Sequence, residues 1–223
     1  MNLSRAAWLR ILPFVAFMAL LALRGLAPAD SGWGVDPRWL YALNAGVALL
    51  LLLWWREYGE LALQNLPSWR ETLLSVAVGL LVFALWIRLD APWMQIGEAT
   101  AAFAPVDGQG QLLWPLIAVR WLGATLLVPV MEELFWRSFL MRWLQAPVFE
   151  GVDPRRTGAK AILLSTFVFM LAHPLWLAAI VAGLAYALLY RFSGKLWTAV
   201  IAHAVTNGAL GIWVVHSGQW QFW

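Results

Sequence analysis

Two adjacent glutamates, Glu132 and Glu133, sit in an otherwise apolar run, PVMEELFWRSFLMRWL at 129–144, whereas all five aspartates (Asp30, Asp36, Asp90, Asp107 and Asp153) fall in connecting stretches. Ionisable groups inside an apolar segment are expensive, and by default they are either functional or half of a structural ion pair. On a helix, Glu133 and Arg137 are four apart in the acid-first order that lets them neutralise each other. Glu132 points about 100° away and has no partner on its own helix, which makes it the candidate catalytic carboxylate. His173 closes the run FVFMLAHP, and His203 stands in LWTAVIAHAVTNGA with Asn207 one turn later. A lone imidazole in an apolar helix is more often a hydrogen-bonded packing residue, and His216 near the end of the last run reads that way or as exposed. Depth sets the other two apart. At ~1.5 Å per residue, Glu132 lies ~15 Å from Arg142, His203 ~12 Å from Lys195 and His173 ~20 Å from Lys160. A carboxylate, two imidazoles and a carboxamide at a similar level are the inventory for activating a water and stabilising an oxyanion.

Other hydrolytic arrangements are missing. There is no H-E-x-x-H pair for zinc on one helix, no G-x-S-G nucleophile loop, no aspartate in an apolar run and no cysteine. Glu132, His173 and His203 do make a two-histidine, one-carboxylate set, a known catalytic zinc composition. Its members come from three separate runs, and Asn207 is better explained as a companion oxyanion donor to His203 than as a ligand. Water activation by glutamate without a metal is therefore the expectation, with a zinc-dependent metalloprotease as the alternative.

The elements that must hold these groups are membrane spans. The chain of 223 residues is 62% hydrophobic and 12% charged, against about 25% charged for a soluble domain, and its mean hydropathy is +0.72. Apolar runs at 6–23, 39–55, 72–87, 112–144, 159–172, 175–190 and 196–215 predict about seven transmembrane helices, an all-α polytopic bundle, because in lipid only helices or closed barrels satisfy the backbone. The alternation of a barrel is absent. Residues 89–111 read as a loop with a short interfacial helix. The chain divides into N-terminal helices and loop (1–110) and a catalytic core (111–223). Ten basic residues (Arg5, Arg10, Arg56, Arg70, Arg142, Arg155, Arg156, Lys160, Arg191, Lys195) fall on one side of such a bundle, against Arg24, Arg38 and Arg88 on the other. The positive-inside rule then makes the N-terminus cytoplasmic. Arg120 and Arg137 are left within the fourth run, where at least one needs a partner. The first run, followed by Ala27-Pro28-Ala29, also has the outline of a cleavable signal peptide; its length and Arg24 favour a retained span. The scattered arginines form no nucleic-acid patch.

Glu132-Glu133-x-x-x-Arg137, Phe169-x-x-x-His173 and His203-x-x-x-Asn207 resemble the three motifs of the CPBP family, the CAAX-protease and bacteriocin-processing membrane proteases that include the type II CAAX endopeptidases. The resemblance covers about 128–208 and extends to Gly183-Leu-Ala-Tyr186 and Tyr190-Arg-Phe-Ser-Gly194-Lys-Leu-Trp197. The wording E-E-L-F-W-R-S-F-L also resembles the CAAX-protease-related proteins of bacteria with exosortase sorting systems, which would place the chain in a bacterial inner membrane. An eighth span common in the family is not evident. The resemblance implies a conical intramembrane site in which Glu132, helped by His173, activates water for attack on a peptide bond. His203 and Asn207 would stabilise the oxyanion, and Glu133 and Arg137 would brace the site. The implied partner is a peptide or protein segment near its C-terminus, reached from the cytoplasmic face; prenylation is not implied. The rival reading is a non-catalytic immunity or scaffold protein, or a small proton-coupled transporter using Glu132 and His173, although no internal symmetry between halves supports transport.

Overall fold

The computed structural model describes residues 3–25, 36–96 and 104–223. Each of the seven apolar runs forms a helix: α1 (Arg5–Gly25), α2 (Asn44–Leu53), α3 (Trp69–Trp86), α4 (Trp114–Gln145), α5 (Ala159–Leu171), α6 (Trp176–Ser193) and α7 (Leu196–Ser217). Five of them, α1, α3, α4, α6 and α7, are long and apolar enough to cross a membrane. Their outward faces carry exposed Leu73, Leu74, Leu80, Leu81 and Ile212, an apolar surface that only a lipid environment accommodates at this extent. The chain is an integral membrane protein.

The other two helices are short for physical reasons visible in the backbone. The 39–55 run begins as a tight 3-10 helix, Pro37–Leu43, whose first turn is capped by Asp36, and this runs directly into α2. At ~2.0 Å per residue for the first part and ~1.5 Å for the second, its contour is about 29 Å, close to the hydrocarbon thickness. Helix α5 has 13 residues and rises only about 20 Å. The connection that follows it therefore lies within the layer, with its backbone satisfied locally: His173 N–H donates to the Met170 carbonyl, and Ile96 N–H to that of Pro174. The expected interfacial element in 89–111 is a 3-10 turn at Pro92–Met94; Ala27-Pro28-Ala29 lies outside the described residues.

Helix α7 is central, with Ala199, Ala202, His203, Thr206 and Val214 buried. Small residues bring its neighbours close, as in membrane bundles generally. A Cβ on Gly79 of α3 would run into the Ala202 carbonyl and Val205 of α7, and one on Gly183 of α6 would meet Thr166 of α5 at 2.9 Å. Helix α1 packs through Leu9, Phe14 and Phe17, with Phe14 stacked on Phe135 of α4 at 4.1 Å.

One end of the bundle collects the basic residues. There Arg10 grips the Glu60 carboxylate at 2.7 and 2.8 Å, Arg142 reaches it at 3.2 Å, and Ser138 donates to it. Lys195 pairs with Glu71 at 2.8 Å, and Arg191 donates to the Thr157 carbonyl. Burial alone would raise the Glu60 carboxyl, but the Arg10 charge and the Ser138 hydrogen bond overcome it and hold the group below its usual range. Tyr58, pushed up to about 12 by burial, stays a neutral phenol and donates to the Leu9 carbonyl.

Candidate active site

Glu132, His173, His203 and Asn207, contributed by α4, the α5–α6 connection and α7, line one cavity of about 150 Å³. The rest of its wall includes Trp86, Val128, Phe169, Tyr186, Leu210 and Phe222. The four polar residues that the sequence brings to a similar level do meet.

Each is aimed by a specific contact. Glu132 is buried and accepts a hydrogen bond at Oε2 from the Trp136 indole N–H at 3.1 Å, one helical turn away. It makes no ion pair among the described residues, unlike its neighbour Glu133. His173 donates from Nδ1 to the Phe169 carbonyl at 2.8 Å and lies over the Phe169 ring, with centroids 4.3 Å apart. That bond fixes the tautomer and leaves Nε2 with its lone pair available. The Asn207 amide donates to the Ala124 carbonyl at 2.9 Å. Ala124 lies in a π-helical turn of α4, Gly123–Leu127, and π-turns recur at functional sites because they offer carbonyls to other donors. One N–H of the Asn207 amide is held this way and the second is unassigned.

Glu133 and Arg137 form the expected pair, Nε to Oε2 at 3.1 Å and Nη1 to Oε1 at 3.3 Å, with side chains 0% and 3% exposed. The Nε contact is an ion-pair approach without hydrogen-bond geometry. Arg137 also donates to the Gly183 carbonyl and sits 4.7 Å over the Phe169 ring. The sequence does not reveal a further link: His203 Nδ1 meets Glu133 Oε1 at 2.8 Å, and its ring stacks on Tyr186 at 5.0 Å. Tyr186 is in turn held by Thr206, whose hydroxyl bonds the Gly79 carbonyl. Glu133 is thus shared by Arg137 and His203, and its bracing role extends to orienting the imidazole, with Nε2 left for the cavity. Trp136 and Tyr186 are the other supports that sequence reasoning missed. Trp136 stands at i+4 from Glu132, a spacing that signals the contact. Nothing in the sequence pairs Tyr186 with His203.

Arg120, the second arginine of the fourth run, lies over the Tyr41 and Trp223 rings at 5.1 and 5.4 Å. Among the described residues no three carboxylate or imidazole side chains are grouped to hold a metal ion. Both imidazoles bond a protein acceptor through Nδ1, which leaves Nε2 of each to the cavity that Glu132 also lines. No step below is routed through a metal.

Residues 113–209 match the family described as type II CAAX prenyl endopeptidase Rce1-like. No curated protein and no solved structure matches the chain. The matched stretch runs from the start of α4 into α7 and contains Glu132, Glu133, Arg137, His173, His203 and Asn207, so the cavity is made largely from the part of the chain that carries the family's pattern. Over residues 113–209, a little under half of the chain, this membrane protein is similar to the type II CAAX prenyl endopeptidase Rce1-like family.

Proposed function

We propose that the protein is an intramembrane endopeptidase that hydrolyses a peptide bond of a membrane-associated protein or peptide, near its C-terminus, with water activated by Glu132. The observation that carries this reading is the cavity in which an unpaired buried carboxylate faces two tautomer-fixed imidazoles and a carboxamide. Glu132 takes a proton from water as the water oxygen adds to the carbonyl carbon, and His173 Nε2 accepts a hydrogen bond from that water. The carbonyl oxygen gains charge, which the second Asn207 N–H stabilises together with His203 in its doubly protonated form, one ring N–H on Glu133 and the other on the oxyanion. When the intermediate collapses the C–N bond breaks and the proton held by Glu132 passes to the leaving amine. Trp136 keeps Glu132 from swinging toward the helix backbone.

A membrane setting with the N-terminus cytoplasmic, in a bacterial inner membrane, accords with the basic bias of one end. A transport route would have to continue from the cavity to that end, and the buried Glu133–Arg137 and Glu60–Arg10 layers stand across it.

The test is hydrolysis by the purified protein in proteoliposomes of membrane-anchored peptides. Cleavage in ¹⁸O-labelled water, read by mass spectrometry, should place one heavy oxygen in the new carboxylate. Glu132→Gln should abolish it. A Glu132→Gln protein that cleaves as fast as the parent would sink the mechanism and favour a scaffold.

A further inference from the structure

We propose that a second cavity, at the basic end of the bundle, binds the headgroup of a phospholipid that carries a phosphate and a primary ammonium, a phosphoethanolamine. This site is separate from the catalytic one, and its ligand is independent of the endopeptidase reading.

The cavity has a volume of about 370 Å³ and shares no lining residue with the catalytic one. That is the size of a small-molecule site. Its wall is drawn from one end of the bundle: Arg10 of α1, Glu60 between α2 and α3, Arg142 in the last turns of α4, Glu150 between α4 and α5, and Tyr190 and Lys195 where α6 passes into α7. Depth points to a lipid. Helix α6 has 18 residues and rises ~27 Å, close to the ~30 Å of the hydrocarbon layer, so its last turn, with Tyr190, and the junction at Lys195 reach the headgroups. Trp197 and Trp55, with ring centroids 6.2 Å apart, lie at the same end, and tryptophan is enriched at the membrane interface.

The wall carries both signs of charge, and the way they are paired decides what fits. Arg10 and Arg142 are closed on Glu60. Lys195 gives one of its three N–H groups to Glu71. Three donors stay open: the rest of the Lys195 ammonium, the N–H of Leu196, which opens α7 and has no acceptor on its own helix, and the Tyr190 hydroxyl. The Tyr190 oxygen accepts from Arg142 at 3.5 Å, and its hydrogen has no acceptor among the described residues. A phosphate suits such a set, and the start of a helix favours negative charge. Arg155 adds a cation beside the wall: an added Cβ on Gly194 would lie 2.5 Å from its guanidinium, which makes no ion pair among the described residues.

The acceptor side is Glu150, which is exposed, accepts from Ser4 at Oε1, and makes no ion pair among the described residues. A headgroup that is only anionic would bring its charge beside this carboxylate, and like charges in a site are costly. A quaternary ammonium has no N–H to donate to it. A phosphate joined to a primary ammonium answers both halves.

The test uses the full chain in detergent, melted by tryptophan fluorescence with rising mole fractions of dioleoyl phosphatidylethanolamine, phosphatidylcholine or phosphatidylglycerol, and with soluble phosphoethanolamine in a fourth arm. At ~100 times its half-saturating fraction, phosphatidylethanolamine should raise melting by about 5–11 °C. That fraction should be about tenfold or more below those of the other two lipids, the size of a hydrogen bond to a charged group. Glu150→Gln should erase the preference over phosphatidylcholine, and Arg155→Gln should weaken both lipids alike; both positions are exposed, so the fold is kept. Stabilisation by phosphatidylglycerol equal to that by phosphatidylethanolamine, no stabilisation by any lipid, or a preference that survives in Glu150→Gln would each overturn the proposal. Soluble phosphoethanolamine that raises melting as far as the lipid would overturn the assignment to a lipid.

Discussion

Removing one glutamate or its neighbour should have opposite consequences, and the structure sets the size of each. In Glu133→Gln the Arg137 guanidinium, 3% exposed, loses its counter-charge. What remains is the Gly183 carbonyl at 3.2 Å and the Phe169 ring at 4.7 Å. Both contacts already exist in the parent, so neither offsets the loss. Breaking a buried pair from one side costs about 3–5 kcal/mol. The glutamine carbonyl still accepts from His203, which argues for the lower figure, about 3 kcal/mol. At about 2–4 °C per kcal/mol for a chain of this size, melting should fall by about 6–12 °C. In Glu132→Gln the glutamine oxygen keeps the Trp136 hydrogen bond and no cation is orphaned, so stability should change by about 1 kcal/mol or less. Activity should fall about 10²–10⁴-fold with the loss of the base. Tryptophan fluorescence melts in detergent and peptide cleavage, run on both variants, decide it. Equal melting of Glu133→Gln and the parent, or a drop in Glu132→Gln as large as in Glu133→Gln, would refute the division of roles.

Trp136→Phe keeps the ring packed against Phe14 and Phe169, at 5.0 and 5.5 Å, but deletes the donor to Glu132. A hydrogen bond to a charged group is worth about 1.5–3 kcal/mol, so kcat/KM should drop about tenfold or more with the fold intact, and an unchanged value argues against a positioning role. Glu60 has a lowered folded-state carboxyl, so its stabilising contribution is complete above its ordinary value of 4.5 and is lost as pH falls through the lower folded value. Melting of the parent should therefore decline below that pH, whereas Glu60→Gln should melt lower at pH 7 and lose less on acidification; parallel curves would show that the clamp does not titrate. Chelation should leave hydrolysis unchanged, since the donors do not converge on an ion. Loss with recovery on zinc at one ion per chain would recast His203 as a ligand.

The parts of this molecule legible in the sequence are those with local causes. The seven helices follow from apolar runs, the Glu133–Arg137 pair from an i,i+4 spacing, and the lack of a cation beside Glu132 from its being one residue out of that register. The level shared by Glu132, His173 and His203 could be counted because helices rise at a fixed rate. What could not be read depends on rotation and on neighbours. The π-turns of α4 at Gly123–Leu127 and Leu134–Met141 have no sequence signature and alter which carbonyl meets Asn207. The His203–Glu133 contact spans 70 positions, and Glu60 looks like a loop acid until Arg10, Ser138 and Arg142 close around it. The length of α5 was visible as a short run, but its consequence, a connection within the layer that carries His173, depends on where its neighbours end.

Among the buried glutamates of the described residues, one is left without a cation. In a low-dielectric interior an unpaired ion is so costly that folds pair every such group they can. Here Glu133 is spent on Arg137 and His203, Glu60 on Arg10 and Arg142, and Glu71 on Lys195. Glu132 alone among these has a neutral donor, Trp136, where a cation would fit. An indole N–H fixes the carboxylate in place without pairing it with a cation. A lysine or arginine at position 136 would pair Glu132 and, on the proposed mechanism, suppress the base. The neighbouring Glu133–Arg137 pair makes that isolation tolerable, because it fills the adjacent helical face with a closed ion pair and leaves Glu132 facing only the cavity. On the proposed mechanism, stability and reactivity fall to consecutive residues of one helix.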